Sequence, residues 1–585
     1  MLEREITIGI GGAAGDGIAS TGDTLSKTCS RSGLDVYVYN SYQSVIRGGH
    51  VWLRLRTSEG KVSNQGDHLD VAIALNQDTV DQHALEVEAG GGIIFNSDRI
   101  KVDESHLKKG VKAFPIPVLE LLKDFPDKNP IYQNIIDLGA LLALTSLDFK
   151  VTADLLKETF EKKGEKVIEI NIHMLKLGYE YAQKNFQPLR RSLKGDKRKR
   201  MVITGNELIA MGAIASGCKF YSAYPMTPAS SILHYMVARG TKYGVVVKQA
   251  EDEIAVINMA IGAGHAGVRS MCGTSGGGFA LMTEAVGEAG MTETPVVIVE
   301  VMRGGPSTGL PTKTEQGDLN QVFGASQGDF PRIIIAPTNL VDCYYVAAEA
   351  HNLAEIYQCP VLIVSDLILS EHHETVYLDD IKFDLPIDRG QLIQKWNGEG
   401  KYKRYEFTQS GISPRSLPGT EGTIYVAATD EHDEEGVLIS DVFTNPVIRK
   451  QMMEKRMRKL DDIWERWPLP KIVGPEDAEI TLIGWGSTEG VIQEAISLLA
   501  KEGIRANQLQ FKYLHPFSEE AVSKILEKLK TTYIVEVNYS GQFARYLRAE
   551  TGFKANGLIL KYDGEPFEPL YIVREVKERS YARSR

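Results

Sequence analysis

Short β-branched runs that end in a glycine- or proline-rich turn and then give way to a helical period recur along most of this chain. No other feature constrains its fold as tightly. The first run, Ile6-Thr7-Ile8-Gly9-Ile10, enters the turn Gly11-Gly12-Ala13-Ala14-Gly15-Asp16-Gly17, and the runs Asp70–Leu75 and Gly92–Phe95 follow. Strands alternating with helices imply βαβ units, so the expected class is α/β with mostly parallel sheets. At 585 residues the chain has room for roughly three to five domains.

The pattern divides the chain. Residues 1–185 form a first α/β domain, and residues 186–200 a basic, solvated linker with seven cations and one acid between Leu189 and Arg200. Residues 201–375 resume the alternation. A helix is expected over Asn206–Ser216, and strands over Lys219–Ala223, Val245–Lys248, Pro295–Val301, Arg332–Ala336 and Pro360–Ser365. Residues 376–475 lose the pattern apart from a charged helix, Asn445–Arg466, and read as a connecting region packed over its neighbours. Residues 476–585 form a last α/β unit that opens on the strand Glu479–Gly484.

Charge and cysteine usage exclude several classes. With 66 Lys+Arg against 77 Asp+Glu the net charge is -11, which offers a polyanion nothing, so no nucleic-acid partner is expected. The five cysteines lie far apart without C-x-x-C spacing, so the chain cannot ligate an iron–sulfur cluster alone, and a reducing cytoplasm is the expected location. Neither a signal peptide nor a membrane span is expected.

Chemistry-bearing residues collect at strand ends. Gly11 to Gly17 is a strand–turn–helix junction where backbone N–H groups can approach a phosphate. Tyr224-Pro225-Met226-Thr227-Pro228 closes one strand on a stiff loop. Ala250-Glu251-Asp252-Glu253 reads as the first turn of a helix running to Ala263. Cys272-Gly273-Thr274-Ser275-Gly276-Gly277-Gly278 closes another strand, and Val297–Met302 leads into Arg303-Gly304-Gly305. Four strand ends thus carry Thr227, Glu251, Ser275 and Arg303 toward one sheet edge, and that convergence marks a site.

At these residues the chain resembles the alpha subunit of 2-oxoacid:ferredoxin oxidoreductases in the form with a γ-type domain fused ahead of it. Tyr224 to Pro228 is similar to the family's Tyr-Pro-Ile-Thr-Pro signature, and Gly305 to Gln316 to a stretch of its 2-oxoglutarate members. The resemblance implies a γ-type domain to about residue 185, then a pyrimidine-type thiamine diphosphate domain, and a transketolase C-terminal-like domain at the end. It implies that Glu251, or Glu253 if the register differs, contacts the aminopyrimidine ring. Tyr224, Pro225, Thr274 and Ser275 would line the cofactor, and Thr227, Arg303 and Thr312 would face the substrate, Arg303 pairing with the 2-oxoacid carboxylate. Gly11, Gly12, Gly15 and Arg47 become candidate contacts for coenzyme A. The implied partners are ferredoxin and a beta subunit that carries Mg²⁺, a [4Fe–4S] cluster and the diphosphate half of the cofactor, in an (αβ)2 assembly. Gly15-Asp16-Gly17 with Asn40, separated from Gly17 by 22 intervening residues, imitates the thiamine enzymes' own Mg²⁺-diphosphate pattern. It is expected to be a turn, because Asp16 falls inside a longer glycine run.

The reaction implied is CoA-dependent oxidative decarboxylation, with 2-oxoglutarate favoured by the Leu310–Gln316 stretch. Pyruvate or a broad 2-oxoacid range is the alternative, as is a transketolase-like or dehydrogenase E1β-like chain without iron–sulfur chemistry. His265 and His515 read as structural, Cys272 as a buried strand residue, and Asn538-Tyr539-Ser540-Gly541-Gln542 as packing or a subunit contact.

Overall fold

A computed structural model describes residues 4–43, 49–126, 129, 131–189, 192–398, 400–440 and 444–583. The chain forms two compact units, Met1–Ile203 with His372–Asp380, and Thr204–Glu371 with Ile381–Arg585.

The first unit is built on an eight-stranded sheet in the order Lys112–Ile116, Val87–Asn96, Leu69–Ala74, Glu5–Ala13, His50–Ser58, Asp35–Ser41, His373–Tyr377, Arg200–Thr204. The first four of these strands run parallel. From Glu5–Ala13 onward the pairing turns antiparallel, through His50–Ser58 and Asp35–Ser41 to His373–Tyr377. The expectation of a mostly parallel sheet therefore holds for half of it, because Asp35–Ser41 and His50–Ser58 pair as antiparallel neighbours without a helical crossover. The helices Tyr132–Thr145 and Glu165–Asn185 cross through paired glycines. A Cβ at Gly139 would lie 2.0 Å from the Leu175 carbonyl, and one at Gly178 would lie 1.8 Å from that of Ile136.

Two sequence expectations change here. The connecting region does not begin at residue 376, because His373–Tyr377 closes onto the first unit's sheet. The end of the basic linker is also structured: Arg200 donates to Asp35 at 2.6 Å, and Arg198 lies 3.3 Å from the centre of the Tyr377 ring. Both cations are held against the strand that rejoins the sheet.

The second unit carries a seven-stranded sheet in the order Tyr513–His515, Ile333–Ile335, Pro360–Asp366, Val296–Met302, Ser270–Thr274, Phe220–Ala223, Val246–Gln249. All its pairs are parallel except the outermost, which Tyr513–His515 makes. The C-terminal segment thus lends a strand to the middle sheet while building its own five-stranded sheet around Ile480–Trp485. One apolar core joins them, with Val286, Leu319 and Leu362 on one side and Trp485, Phe511 and Phe543 on the other.

The connecting region is anchored by buried ion clusters. Glu355 receives Arg269 at 2.7 Å, Arg389 at 2.6 Å and Arg415 at 2.9 Å. Glu293 receives Lys455 at 2.6 Å and Lys459 at 2.7 Å, while Arg404 donates to the Glu293 carbonyl at 2.8 Å. The single charged helix expected there is two, Pro446–Arg458 and Ile463–Arg466. Among the described residues no helix is long and apolar enough to cross a membrane.

Candidate functional site

Four adjacent parallel strands of the second unit, Val296–Met302, Ser270–Thr274, Phe220–Ala223 and Val246–Gln249, release their loops at one edge. The carboxyl edge of a parallel sheet is where α/β folds bind ligands. The loops bring Arg303, Ser275, Thr227 and Glu251 to that edge.

The loop Tyr224–Pro228 is fixed from behind. Asn206 donates to the Pro228 carbonyl at 2.9 Å and to the Ser231 hydroxyl at 2.8 Å, and Ser231 donates to Glu371 at 2.6 Å. Asn206 is positioned by a helix, Gly205–Ala215, whose Thr204–Glu207 capping box satisfies its first N–H groups. Tyr224 and Pro225 are exposed. Thr227 offers its carbonyl to Arg303 Nη1 at 2.6 Å. Nothing in the sequence pattern singled out Asn206, Ser231 or Glu371: Ser231 follows the loop directly, but Asn206 lies 22 positions from Pro228 and Glu371 lies 140 from Ser231.

The acidic segment differs from expectation. The helix runs Glu253–His265, and Asp252 is its cap, accepting from the Ala255 N–H at 2.8 Å. Glu251 therefore precedes the helix and is exposed, whereas Glu253 is buried with Oε1 lacking any hydrogen-bond partner. A Cβ on Gly278 would fall 2.1 Å from Thr274 Oγ1 and 2.5 Å from Glu253 Oε1, so these two groups lie directly against the glycine turn. Thr274 is fully buried and reaches Met226 Sδ at 3.9 Å.

Ser275 occupies the cap position of the helix Gly276–Met291 yet makes no capping bond, and its Oγ is buried without a partner. Gly277 faces open space, with no atom nearer to a Cβ there than 4.0 Å. Buried polar atoms are normally hydrogen-bonded, and here Ser275 Oγ and Glu253 Oε1, both near the glycine turn, have no partner. Thr312 is buried in the Leu310–Gln316 stretch, which is stitched to the C-terminal sheet. There the Gln316 N–H donates to the Val537 carbonyl at 2.6 Å, Asn538 donates to the Gln316 carbonyl at 3.0 Å, and Lys313 pairs with Glu565. Asn538 is thus an internal packing residue.

In the first unit the glycine turn satisfies itself. Asp16 accepts from the Ala13 N–H at 2.7 Å, and its carbonyl accepts from Asn134. Gly11 and Gly12 are buried, where side chains would strike Thr79 and Asp16, while Gly15 is exposed and open. Arg47 lies outside the described residues. Beside this turn His50 Nε2 meets His83 Nε2 at 2.8 Å, and His83 Nδ1 meets Glu86 at 2.5 Å, a contact that spacing along the chain does not announce.

His515 is hydrogen-bonded to Tyr546 at 2.9 Å, and burial with Arg332 lowers it to about 4. Burial pushes the Cys272 thiol up to about 12. Neither group is poised for proton transfer or attack near neutral pH.

Residues 7–181 match the family described as Pyruvate ferredoxin/flavodoxin oxidoreductase. Residues 211–454 match Pyruvate flavodoxin/ferredoxin oxidoreductase, thiamine diP-bdg, and residues 478–567 match Pyruvate:ferredoxin oxidoreductase core domain II. The chain is 33% identical to a 2-oxoacid:ferredoxin oxidoreductase subunit alpha of Sulfolobus sp, over 95% of this chain and 94% of that one. It is 28% identical to the 2-oxoglutarate oxidoreductase subunit KorA of Mycobacterium tuberculosis, over 94% and 87%. A solved 2-oxoglutarate:ferredoxin oxidoreductase from Magnetococcus marinus, described with 2-oxoglutarate, coenzyme A and succinyl-CoA bound, superposes with a TM-score of 0.91 at 34% identity, over 98% of this chain and 99% of that one.

Proposed function

The chain belongs to the 2-oxoacid:ferredoxin oxidoreductase alpha subunits and so to an oxidoreductase, and we propose that it supplies the substrate-reading half of an enzyme that converts 2-oxoglutarate and coenzyme A to succinyl-CoA and CO2 with reduction of ferredoxin. The end-to-end likeness to the Magnetococcus enzyme carries this reading. The subunit alpha relatives named only for 2-oxoacids leave pyruvate, or a broad range, as the second reading.

The residues present fit the pyrimidine half of thiamine diphosphate. Ser275 Oγ and Glu253 Oε1 are unpartnered, Glu253 lying against Gly278 and Ser275 two residues before the open Gly277, and Glu251 is exposed. A carboxylate that must meet a cofactor shared with a second chain has to stand at the surface of its own, which favours Glu251 over Glu253. When bound, thiamine diphosphate supplies a nucleophilic carbon for the 2-oxo group. Glu251 would hold a proton against the aminopyrimidine nitrogen, and Tyr224, Pro225 and Thr274 would bound the ring. Arg303 would take the 2-oxoacid carboxylate in a forked pair, with Thr227 and Thr312 beside it. The five cysteines are all buried and unpaired, so the [4Fe–4S] ligands fall to a beta subunit, together with Mg²⁺ and the diphosphate. Gly15, open on the first unit's turn, is the contact favoured for coenzyme A.

Co-expression with a beta subunit and assay of CoA-dependent viologen reduction tests the reading, with 2-oxoglutarate turned over in preference to pyruvate. Turnover by the purified chain alone, or turnover indifferent to coenzyme A, overturns it. In the same complex Glu251→Gln should slow C2 proton exchange of bound thiamine diphosphate by about two orders of magnitude. If only Glu253→Gln does so, the buried glutamate is the one in contact.

A further inference from the structure

Three neighbouring strands of the C-terminal sheet, Ile480–Trp485, Thr531–Glu536 and Gly557–Leu560, run parallel, so their carboxyl ends lie along one edge. In an open α/β sheet that edge is where ligands bind. Here it takes up a loop of the chain itself: all three strand ends hold the stretch between Arg303 and Asp318, which carries residues read as substrate contacts.

Gln316 is the centre of the attachment. It is fully buried, and all four of its polar groups are used. Its N–H donates to the Val537 carbonyl at 2.6 Å, and its side-chain oxygen accepts from the Val537 N–H at 3.1 Å. Its side-chain amide donates to the Trp485 carbonyl at 3.2 Å, and its carbonyl accepts from Asn538 at 3.0 Å. Asn538 is fixed in turn, since its amide also donates to Glu536 at 2.9 Å and its oxygen accepts from the Gly541 N–H at 2.7 Å. The third strand end grips the loop further up. The Thr314 N–H donates to the Gly564 carbonyl at 3.3 Å, and Lys313 pairs with Glu565. Gly564 has a φ of +84°, and a Cβ there would come within 3.1 Å of Lys313 Cβ, so turn and loop meet where a side chain would crowd both.

The hold is passed on toward Arg303. The Gly304 N–H donates to the Lys313 carbonyl at 3.1 Å, and the Leu310 N–H donates to the Gly304 carbonyl at 2.8 Å, so the residue next to Arg303 is bonded to the tethered part of its own loop. Lys313 is the single cation of the Leu310–Gln316 stretch, and its position after Thr312 makes it the natural group to read a second carboxylate on the substrate. Its pairing with Glu565 turns it to the C-terminal segment instead.

We propose that Lys313 and Gln316 are positioning residues, through which the carboxyl edge of the C-terminal sheet sets the shape of the loop presenting Arg303 and Thr312, and that Lys313 does not itself read the substrate. The role rests on the reading of Arg303 and Thr312 as contacts of the 2-oxoacid.

Hydrogen exchange on the full chain reads the tether without any substrate. Lys313→Glu sets two carboxylates against each other and should speed exchange of the Gly304 and Thr314 amides about fivefold, the reach of a partly exposed ion pair. Combining it with Glu565→Lys restores the pair and should bring exchange back to within about twofold of the parent. Gln316→Met keeps the bulk, removes two side-chain bonds and should speed exchange about tenfold or more; if it does not fold, the charge exchange carries the test. In the assembled complex with beta, Lys313→Glu should raise KM about fivefold, alike for 2-oxoglutarate and pyruvate and with kcat within about twofold, and the charge exchange should restore it. A loss confined to 2-oxoglutarate that the exchange does not restore makes Lys313 a reader of the distal carboxylate and overturns the proposal. Unchanged amide exchange in Lys313→Glu overturns it too, as does faster exchange with KM unmoved. A parent complex inactive with every 2-oxoacid sinks the reading of Arg303 and Thr312, while the exchange result stands independently.

Discussion

Glu293 and Glu300 stand seven residues apart in the same unit, both without solvent contact, one just past the helix Gly276–Met291 and the other on the strand that follows. Lys455 and Lys459 close on the first at 2.6 and 2.7 Å, whereas the second has only acids for charged company. Burial works to raise both. At Glu293 the cations Lys455, Lys459 and Arg404 outweigh it and hold the carboxylate well below its ordinary range; at Glu300 nothing does, and burial drives its titration well above that range. Burial sets the size of the penalty for a charge, and the supply of counter-charge decides whether the charge exists at all. The counter-charge at Glu293 comes from the connecting region, which gives that stretch a structural purpose: its cations fasten it to the sheet domain.

The comparison breaks most visibly at Glu293. Replacing it with Gln leaves Lys455, Lys459 and Arg404 buried without their carboxylate, and the loss of one partner from a buried ion cluster costs about 3–5 kcal/mol. Denaturant titration at neutral pH should show that loss. The depressed titration of Glu293 means its contribution is present above the ordinary carboxylate value of about 4.3 and is lost as pH falls below it. Parent and variant should therefore converge in acid. A difference that persists unchanged down to about pH 3 would mean that shape, not charge, holds the cluster.

Glu300→Gln should behave in the opposite sense. A raised titration means that the unfolded chain releases the proton above about pH 4.3 while the folded chain keeps it, so folding loses stability as pH rises. The amide has no proton to retain. The variant should match the parent near pH 4 and gain on it with increasing pH, by at most about 1.4 kcal/mol per unit. Melting temperatures of the two chains between about pH 4 and 8 decide the matter, and a variant that is weaker throughout that range would place Glu300 in the class of Glu293.

This contrast was out of reach of the sequence, and the reason is distance along the chain. Lys455 reaches Glu293 across 162 positions, and Asn538 reaches Gln316 across 222, so no local pattern records either pairing. What local pattern does record came through well. The strands Phe220–Ala223, Val246–Gln249 and Val296–Met302 lie within a residue or two of their expected places, Ser270–Thr274 ends in the segment expected to close a strand, and the four loops share one edge. Strand periodicity and turn chemistry act over a few residues, which is why they are legible. The start of the helix after Gln249 was misplaced because three acids in a row are equally at home in a first helical turn; only the Asp252–Ala255 bond separates cap from helix. The antiparallel half of the first sheet and the return of His373–Tyr377 to it depend on which strands become neighbours, and alternation along the chain does not specify that.

Ser275 offers the smallest and sharpest test of whether unpartnered groups at this edge serve folding or binding. A serine at a helix cap normally accepts a backbone N–H, and its replacement by alanine costs about 1 kcal/mol. Here the cap bond is not made, and the hydroxyl oxygen is buried with no partner, so there is no such contribution to remove. Ser275→Ala should change stability by less than about 0.5 kcal/mol, and a slight gain is in order because an unsatisfied buried hydroxyl disappears. If the hydroxyl waits for a ligand, the cost surfaces in binding instead. Thiamine diphosphate should then be held about five- to tenfold more weakly by the assembled complex, the effect of losing one hydrogen bond. Calorimetric titration of the complex, paired with melting of the chain, separates the two ledgers. A cap-sized loss of stability with unchanged cofactor affinity would put Ser275 on the structural side with Glu293, and the glycine turn it precedes would be a turn and nothing more.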